Sequence, residues 1–252
     1  MKTIGILGAM AQEIDEVKRL MTDVKTHEIG GRTFFEGFLE GKKCVVAFSK
    51  WGKVAATMTS VILITVFKVD EIVFIGTAGG IATGIKVGDV VVANRLVQHD
   101  LDSRPMQRQF EIPLLNRIYV ETDERLRQLA AQAVNRLIER GKGVIIDKEK
   151  ALQFDITNTT LHHGDIASGD KFINGEEQRS AILGLLPDVK CVEMEGAAVA
   201  QVCCEFGIPF VVIRIISDSA DGNAHFDFGK FIGEVANAYS VAIITEMMRN
   251  YR

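Results

Sequence analysis

The chain has 252 residues, 29 lysines and arginines against 33 aspartates and glutamates, and 47% hydrophobic residues. That composition is globular and excludes a disordered, collagen-like or disulfide-scaffold chain; the length suits one large α/β domain. A net charge of −4 lacks the basic footprint that binding a phosphate backbone requires, so nucleic acid is not an expected partner.

In chain order, Thr3–Leu7 is an apolar run ending at Gly8, and Ala11–Met21 follows with helical spacing. Phe34–Leu39 and Lys43–Phe48 read as strands around a turn at Gly41. Val54–Phe67 has the length of a helix and is nearly all apolar, as a helix buried between layers would be. It is too short and too rich in Thr and Ser to span a bilayer, so no membrane association is expected. Glu71–Ile75 reads as a bare apolar strand that stops at Gly76-Thr77-Ala78-Gly79-Gly80. Asp89–Ala93 is another strand, and Thr122–Arg140 is a charged amphipathic helix. Val189–Met194 and Phe210–Ile216 read as strands separated by the helix Gly196–Phe206. Phe228–Met248 closes the chain as a helix, with Phe231, Val235, Ala238, Ala242 and Ile243 at helical spacing. The least regular stretches are Asp100–Asn116, expected as a loop near the site, and Lys148–His163, expected as a surface excursion.

Strands buried on both faces, each followed by a helix, indicate a mixed, mostly parallel twisted sheet between two helix layers: a three-layer α/β/α sandwich. No linker or repeat divides residues 1–252, so one domain is expected. Cys44, Cys191, Cys203 and Cys204 have no metal-ligand spacing and sit in apolar surroundings, which reads as reduced thiols in a cytoplasmic protein. No basic-then-apolar leader precedes the first strand.

Ligands of open α/β sheets bind beyond the carboxyl ends of the strands, and four such ends carry unusual residues. Gly8-Ala9-Met10-Ala11-Gln12-Glu13 is neither a dinucleotide fingerprint nor a P-loop, so no nucleotide cofactor is expected. Glu13, in the first turn of a helix, reads either as a dipole-stabilising acid or as a reactive one. Gly76–Gly80 reads as a tight turn or as a place where backbone approaches a ligand closely. Alternation puts Glu193 and Glu195 on one side of an apolar strand. Two buried carboxylates are costly unless paired or used, either to cap the next helix or to accept two hydrogen bonds from a diol. Arg214 and Asp218 share a face of the most hydrophobic strand. Arg214 can form a buried salt bridge there, and an aspartate held in an apolar site, supported by Ser217, can deliver a proton. Holding an aspartic acid half protonated at pH 7 costs roughly 4 kcal/mol.

Seven segments in register, Ile4–Met10 with Glu13, Ser49–Ala55, Gly76–Gly80, Val87–Val91, Ser168–Asn174, Val192–Gly196 and Arg214–Asp221, resemble the 5′-methylthioadenosine/S-adenosylhomocysteine nucleosidases of the nucleoside phosphorylase superfamily. The resemblance implies a homodimer that hydrolyses the N-glycosidic bond between adenine and a 5′-thio-substituted ribose, with no metal or other cofactor. It implies that Glu13 activates water, that Asp218 with Ser217 protonates adenine N7, and that Arg214 helps place the water. Met194 and Glu195, next to Glu193, would hold the ribose diol. Phe172 and Ile173 would take the adenine, with Thr77, Ala78 and Gly79 along the ribose and base. Met10, Trp51 and Phe228 would border the 5′ group. This division of labour suits a reaction that develops oxocarbenium character on the sugar and negative charge on the base.

Trp51, where relatives carry a smaller aliphatic residue, and Thr77, where many carry Ser, depart from the family pattern. So do Asp102–Pro105, Ala224–Asp227 and the excursion at Lys148–His163, all of which bear on the 5′ preference. His162-His163 reads as a solvated pair, and His99 as a residue near the site or a dimer contact. Three alternatives remain beside hydrolysis of the 5′-thio nucleosides: a purine nucleoside phosphorylase, a hydrolase of aminofutalosine, and a nucleoside-binding module without turnover. A phosphate site needs converging cations, and Gly8–Glu13 contributes an acid and no cation.

Overall fold

The computed structural model describes residues 2–220 and 231–251, without the side chains of Gln12, Glu13 and Ile232. Ten strands among these residues form one mixed sheet: β1 (Ile4–Gly8), β2 (Thr22–Ile29), β3 (Arg32–Leu39), β4 (Lys42–Phe48), β5 (Glu71–Gly80), β6 (Val90–Gln98), β7 (Val120–Glu121), β8 (Leu161–Ser168), β9 (Val189–Glu193) and β10 (Phe210–Asp218). The helices are α1 (Ala11–Arg19), α2 (Lys53–Thr65), α3 (Glu124–Arg140), α4 (Lys148–Gln153), α5 (Glu176–Leu185), α6 (Gly196–Phe206) and α7 (Asn237–Asn250), the last entered through a π-helical turn at Ile232–Ala236.

β1 lies between β4 and β5, parallel to both, and β10 pairs parallel with the other edge of β5. β6, β8 and β9 form a second parallel run, joined antiparallel to β10 and β5. β2 and β3 extend the sheet antiparallel from β4. Alternation along the buried strands builds two cores, because successive side chains leave opposite faces. Val73, Ile75, Ile213 and Ile215 pack on one side with Ile14 and Val17 of α1, Leu126 and Val134 of α3, and Ile243 and Met247 of α7. Ile72, Phe74 and Val212 pack on the other with Ala56 and Leu63 of α2 and Val199 and Cys203 of α6. The architecture is the expected α/β/α sandwich. Among the described residues no helix is long and apolar enough to cross a membrane.

Three readings need correction. The glycine run is not a turn: β5 continues through Gly80, because each glycine lets another part of the protein come close. A Cβ on Gly76 would stand 2.4 Å from the Ala9 Cβ, and one on Gly79 would stand 3.0 Å from Asp218 Oδ1. Lys148–His163 is not purely a surface excursion, since it holds α4 and enters β8, a strand with neighbours on both edges. His162 is not solvated, because its Nε2 lies 2.9 Å from the buried Asp89 carboxylate. Thr22–Ile29, which no apolar alternation marks in the sequence, is an edge strand. The residues around Phe228, including Asp221 and Ala224–Asp227, lie outside the described residues, as does the start expected for the closing helix.

Candidate active site

The carboxyl ends of β1, β4, β5, β8, β9 and β10 converge on one cavity of ≈ 260 Å³, apolar over most of its wall. Met10 enters just after β1, and Trp51 after β4. Thr77, Ala78 and Gly79 come from β5, Phe172 and Ile173 from beyond β8, Glu193, Met194 and Glu195 from the end of β9, and Ser217 and Asp218 from β10. Ala9, Lys171 and Val192 complete the lining and were not among the residues expected. Each is sequence-adjacent to one that was, which is the signal that could have found them. Arg214 is absent from the wall. The Glu13 side chain and Phe228 lie outside the described residues; the Glu13 backbone belongs to the first turn of α1, three residues beyond Met10.

Ser217 and Asp218 reach the same cavity because β10 is irregular there. Ile216 stands opposite Ala78 and Asp218 opposite Gly79, so two residues of β10 advance against one of β5. Such a bulge breaks the alternation of faces and turns consecutive side chains inward. The Ser217 hydroxyl donates to Asp218 Oδ2 at 2.7 Å, and the Ala220 N–H donates to Oδ1 at 2.8 Å. Asp218 is buried, at 9% exposure.

The two glutamates have separate fates. Glu193 accepts from Ser168 Oγ, from the backbone N–H of Glu195 at 3.1 Å and of Gly196 at 2.8 Å, and from Arg214 Nη2 at 2.6 Å. It is the anion at the start of α6, where unsatisfied N–H groups and the helix dipole favour negative charge. Arg214 is fully buried behind it, with Nη1 donating to the Ile213 carbonyl at 3.1 Å and the guanidinium 4.0 Å from the Phe74 ring centre. This arrangement is the buried ion pair; it reaches the cavity through Glu193.

Glu195 takes the N-cap position of α6 with its own side chain elsewhere: Oε1 accepts the Gly52 N–H at 2.7 Å. Gly52 has φ 87°, a left-handed conformation that favours glycine and aims this donor at the carboxylate. Burial, reinforced by the nearby Glu193 charge, pushes the Glu195 carboxyl up to about 7. Its folded form thus holds its proton over a range in which the unfolded chain has already lost it. Stability therefore falls as pH rises from about 4.5 to about 7 and levels off above, by on the order of 3 kcal/mol. Glu195→Gln keeps an acceptor for Gly52 and removes the titration. Urea unfolding at pH 5 and pH 8 should find the variant close to wild type at the lower pH and more stable at the higher. Equal stabilities at pH 8 would contradict the assignment.

A family model described as the phosphorylase superfamily matches residues 3–249. A 5′-methylthioadenosine/S-adenosylhomocysteine nucleosidase of Actinobacillus succinogenes is 39% identical over 230 residues, 91% of each chain. An aminodeoxyfutalosine nucleosidase of Helicobacter pylori is 36% identical over 234 residues, 92% of each chain. Among solved structures, the 5′-methylthioadenosine/S-adenosylhomocysteine nucleosidase of Neisseria meningitidis in complex with methylthio-immucillin-A superposes with a TM-score of 0.86 at 33% identity, covering 99% of this chain and all of that one.

Proposed function

Because the chain belongs to the phosphorylase superfamily and, within it, to the 5′-methylthioadenosine/S-adenosylhomocysteine nucleosidases, we propose that it hydrolyses 5′-substituted adenine nucleosides to adenine and the free 5′-substituted ribose, as one nucleosidase domain. The observation that carries this reading is an apolar cavity lined both by a buried, hydrogen-bonded aspartate and by Glu195, a buried carboxylate that forms no ion pair among the described residues.

In this reading adenine lies against Phe172 and Ile173. Ionised Glu195 accepts hydrogen bonds from the ribose hydroxyls, with Met194 beside the sugar. Asp218, supported by Ser217, donates its proton to N7 as the C1′–N9 bond breaks, so the departing electron pair resides on a neutral base. Glu13 takes a proton from water as its oxygen bonds C1′ on the opposite face. The proton lost by Asp218 and the one gained by Glu13 balance over the cycle. Thr77 to Gly79 line the sugar, Met10, Trp51 and Phe228 the 5′ group, and Arg214 acts by holding Glu193. Clearance of such nucleosides serves methionine salvage.

Glu195 and Glu13, both ionised in this reading, disfavour a phosphate dianion as co-substrate, since like charges in a partly desolvated pocket repel. Adenine release from methylthioadenosine should therefore proceed at full rate in phosphate-free buffer, and a strict phosphate requirement would overturn hydrolysis in favour of phosphorolysis. The similarity to an aminodeoxyfutalosine nucleosidase at nearly the same identity supports activity on that second class of 5′ arm as well.

A homodimer accompanies this reading. Val54 and Met58 in the first half of α2 are 82% and 43% exposed, and Met106 and Leu114 in the loop after β6 are 82% and 90% exposed. Large exposed apolar side chains of this kind suit an interface. Sedimentation velocity should find a species of twice the chain mass, and a monomer at micromolar concentration would refute the dimer. The free thiols Cys44, Cys191 and Cys203, all buried, fit a reducing cytoplasm.

A further inference from the structure

Among the described residues lining the cavity Lys171 is the only cation, and the mechanism above gives it no task. The wall divides by charge. Glu193, Glu195 and Asp218 are buried inside it. Lys171 is exposed and shares the mouth with Trp51, 67% exposed, and Phe172, 37% exposed.

The segment that carries Lys171 is held in place by other groups. Asp170 Oδ1 accepts the backbone N–H of Lys53 at 2.8 Å, and the Asp170 N–H donates to Asp100 at 2.9 Å. The Lys53 ammonium donates to Asp100 at 2.7 Å. Both neighbouring aspartates are thus engaged with Lys53. Among the described residues no hydrogen bond or ion pair engages the Lys171 ammonium.

We propose that Lys171 is a specificity-determining residue that pairs with a carboxylate at the end of the substrate's 5′ arm. The inference rests on the nucleosidase reading and adds to it the class of arm. Ionised Glu195 inside the cavity repels an anionic arm, while the ammonium at the mouth attracts it, so the two fields together orient the nucleoside with base and sugar inward. The exposed indole of Trp51 offers the intervening part of the arm an apolar face. A solvated ion pair of this kind is modest in strength and weakens with salt.

The test compares two substrates of equal arm length, 5′-S-(2-carboxyethyl)-5′-thioadenosine and 5′-S-propyl-5′-thioadenosine. The readout is the ratio of their kcat/KM values in wild type, Lys171→Ala and Lys171→Glu. From wild type the ratio should fall about threefold in K171A and about tenfold in K171E. In 1 M NaCl the wild-type ratio should approach that of K171A. Ratios equal within error across the three proteins would overturn the role of Lys171 while leaving hydrolysis intact. Failure of all three to release adenine from either substrate would overturn the nucleosidase reading, and this inference with it.

Discussion

Adenine release from methylthioadenosine falls by about 10³-fold or more in Asp218→Asn, an effect in the upper range for loss of a positioned general acid, while the fold survives. The survival follows from the contacts. An asparagine turned with its oxygen toward Ala220 keeps the N–H···O bond that Oδ1 now accepts at 2.8 Å, and its amide can donate to Ser217 Oγ where Oδ2 now accepts at 2.7 Å. Ser217 then directs its hydrogen to the Ala78 carbonyl, already 3.3 Å away. One rearranged hydrogen bond costs about 1 kcal/mol, which for a chain of this length moves the thermal midpoint by about 2–4 °C. What is lost is chemical: an amide has no proton to deliver at neutral pH. Steady-state kinetics beside a thermal melt separate the two effects. A variant retaining a tenth of the wild-type rate would remove Asp218 from the role of acid.

The parts of the fold legible in the sequence are those whose hydrophobic period is undisturbed. α6 was expected over Gly196–Phe206 and occupies those residues, ending at Gly207 with φ 67°, the left-handed stop that glycine supplies. β8 was missed for a physical reason. His163 is exposed, but the strand's other polar side chains are satisfied within the protein: His162 by Asp89, Asp165 by Arg95 at 2.5 Å, Ser168 by Glu193. A strand of that composition looks like a loop until its partners are known. β2 was missed for the opposite reason. As an edge strand paired only with β3, it is mostly exposed and carries no clear apolar alternation.

In the site, alternation placed Glu193 and Glu195 together but could not tell which was paired. The distinction comes from Arg214, which stands 21 positions away in sequence and one layer behind Glu193 in space. Alternation also gave Arg214 and Asp218 one face, whereas the bulge at Ser217 shifts the register between them. A bulge of this kind has no glycine or proline to announce it. The unexpected Lys171 was hidden differently: an exposed lysine between Asp170 and Phe172 reads as surface until the cavity mouth is seen.

Arg214→Met should cost about 3–5 kcal/mol of unfolding free energy, the range for breaking a buried ion pair on one side. The side chain is wholly buried and its Nε and Nη2 both donate to Glu193 Oε2, at 3.2 and 2.6 Å. Methionine fills much of the space against Phe74 but leaves the Glu193 charge with neutral donors alone, Ser168 and the N–H groups that open α6. Against a total stability of about 5–15 kcal/mol, the single variant can fail to fold. The companion is therefore Arg214→Met with Glu193→Gln, in which the orphaned charge is gone while an acceptor for the helix N–H groups remains. If the penalty is that of an unpaired charge, the double variant should be more stable than Arg214→Met by about 2 kcal/mol, as urea midpoints would measure. Were Arg214 instead present mainly for its packing, the second substitution would add its own cost and the double variant would be the less stable. The sign of that difference decides whether this arginine stabilises the site through charge or through volume.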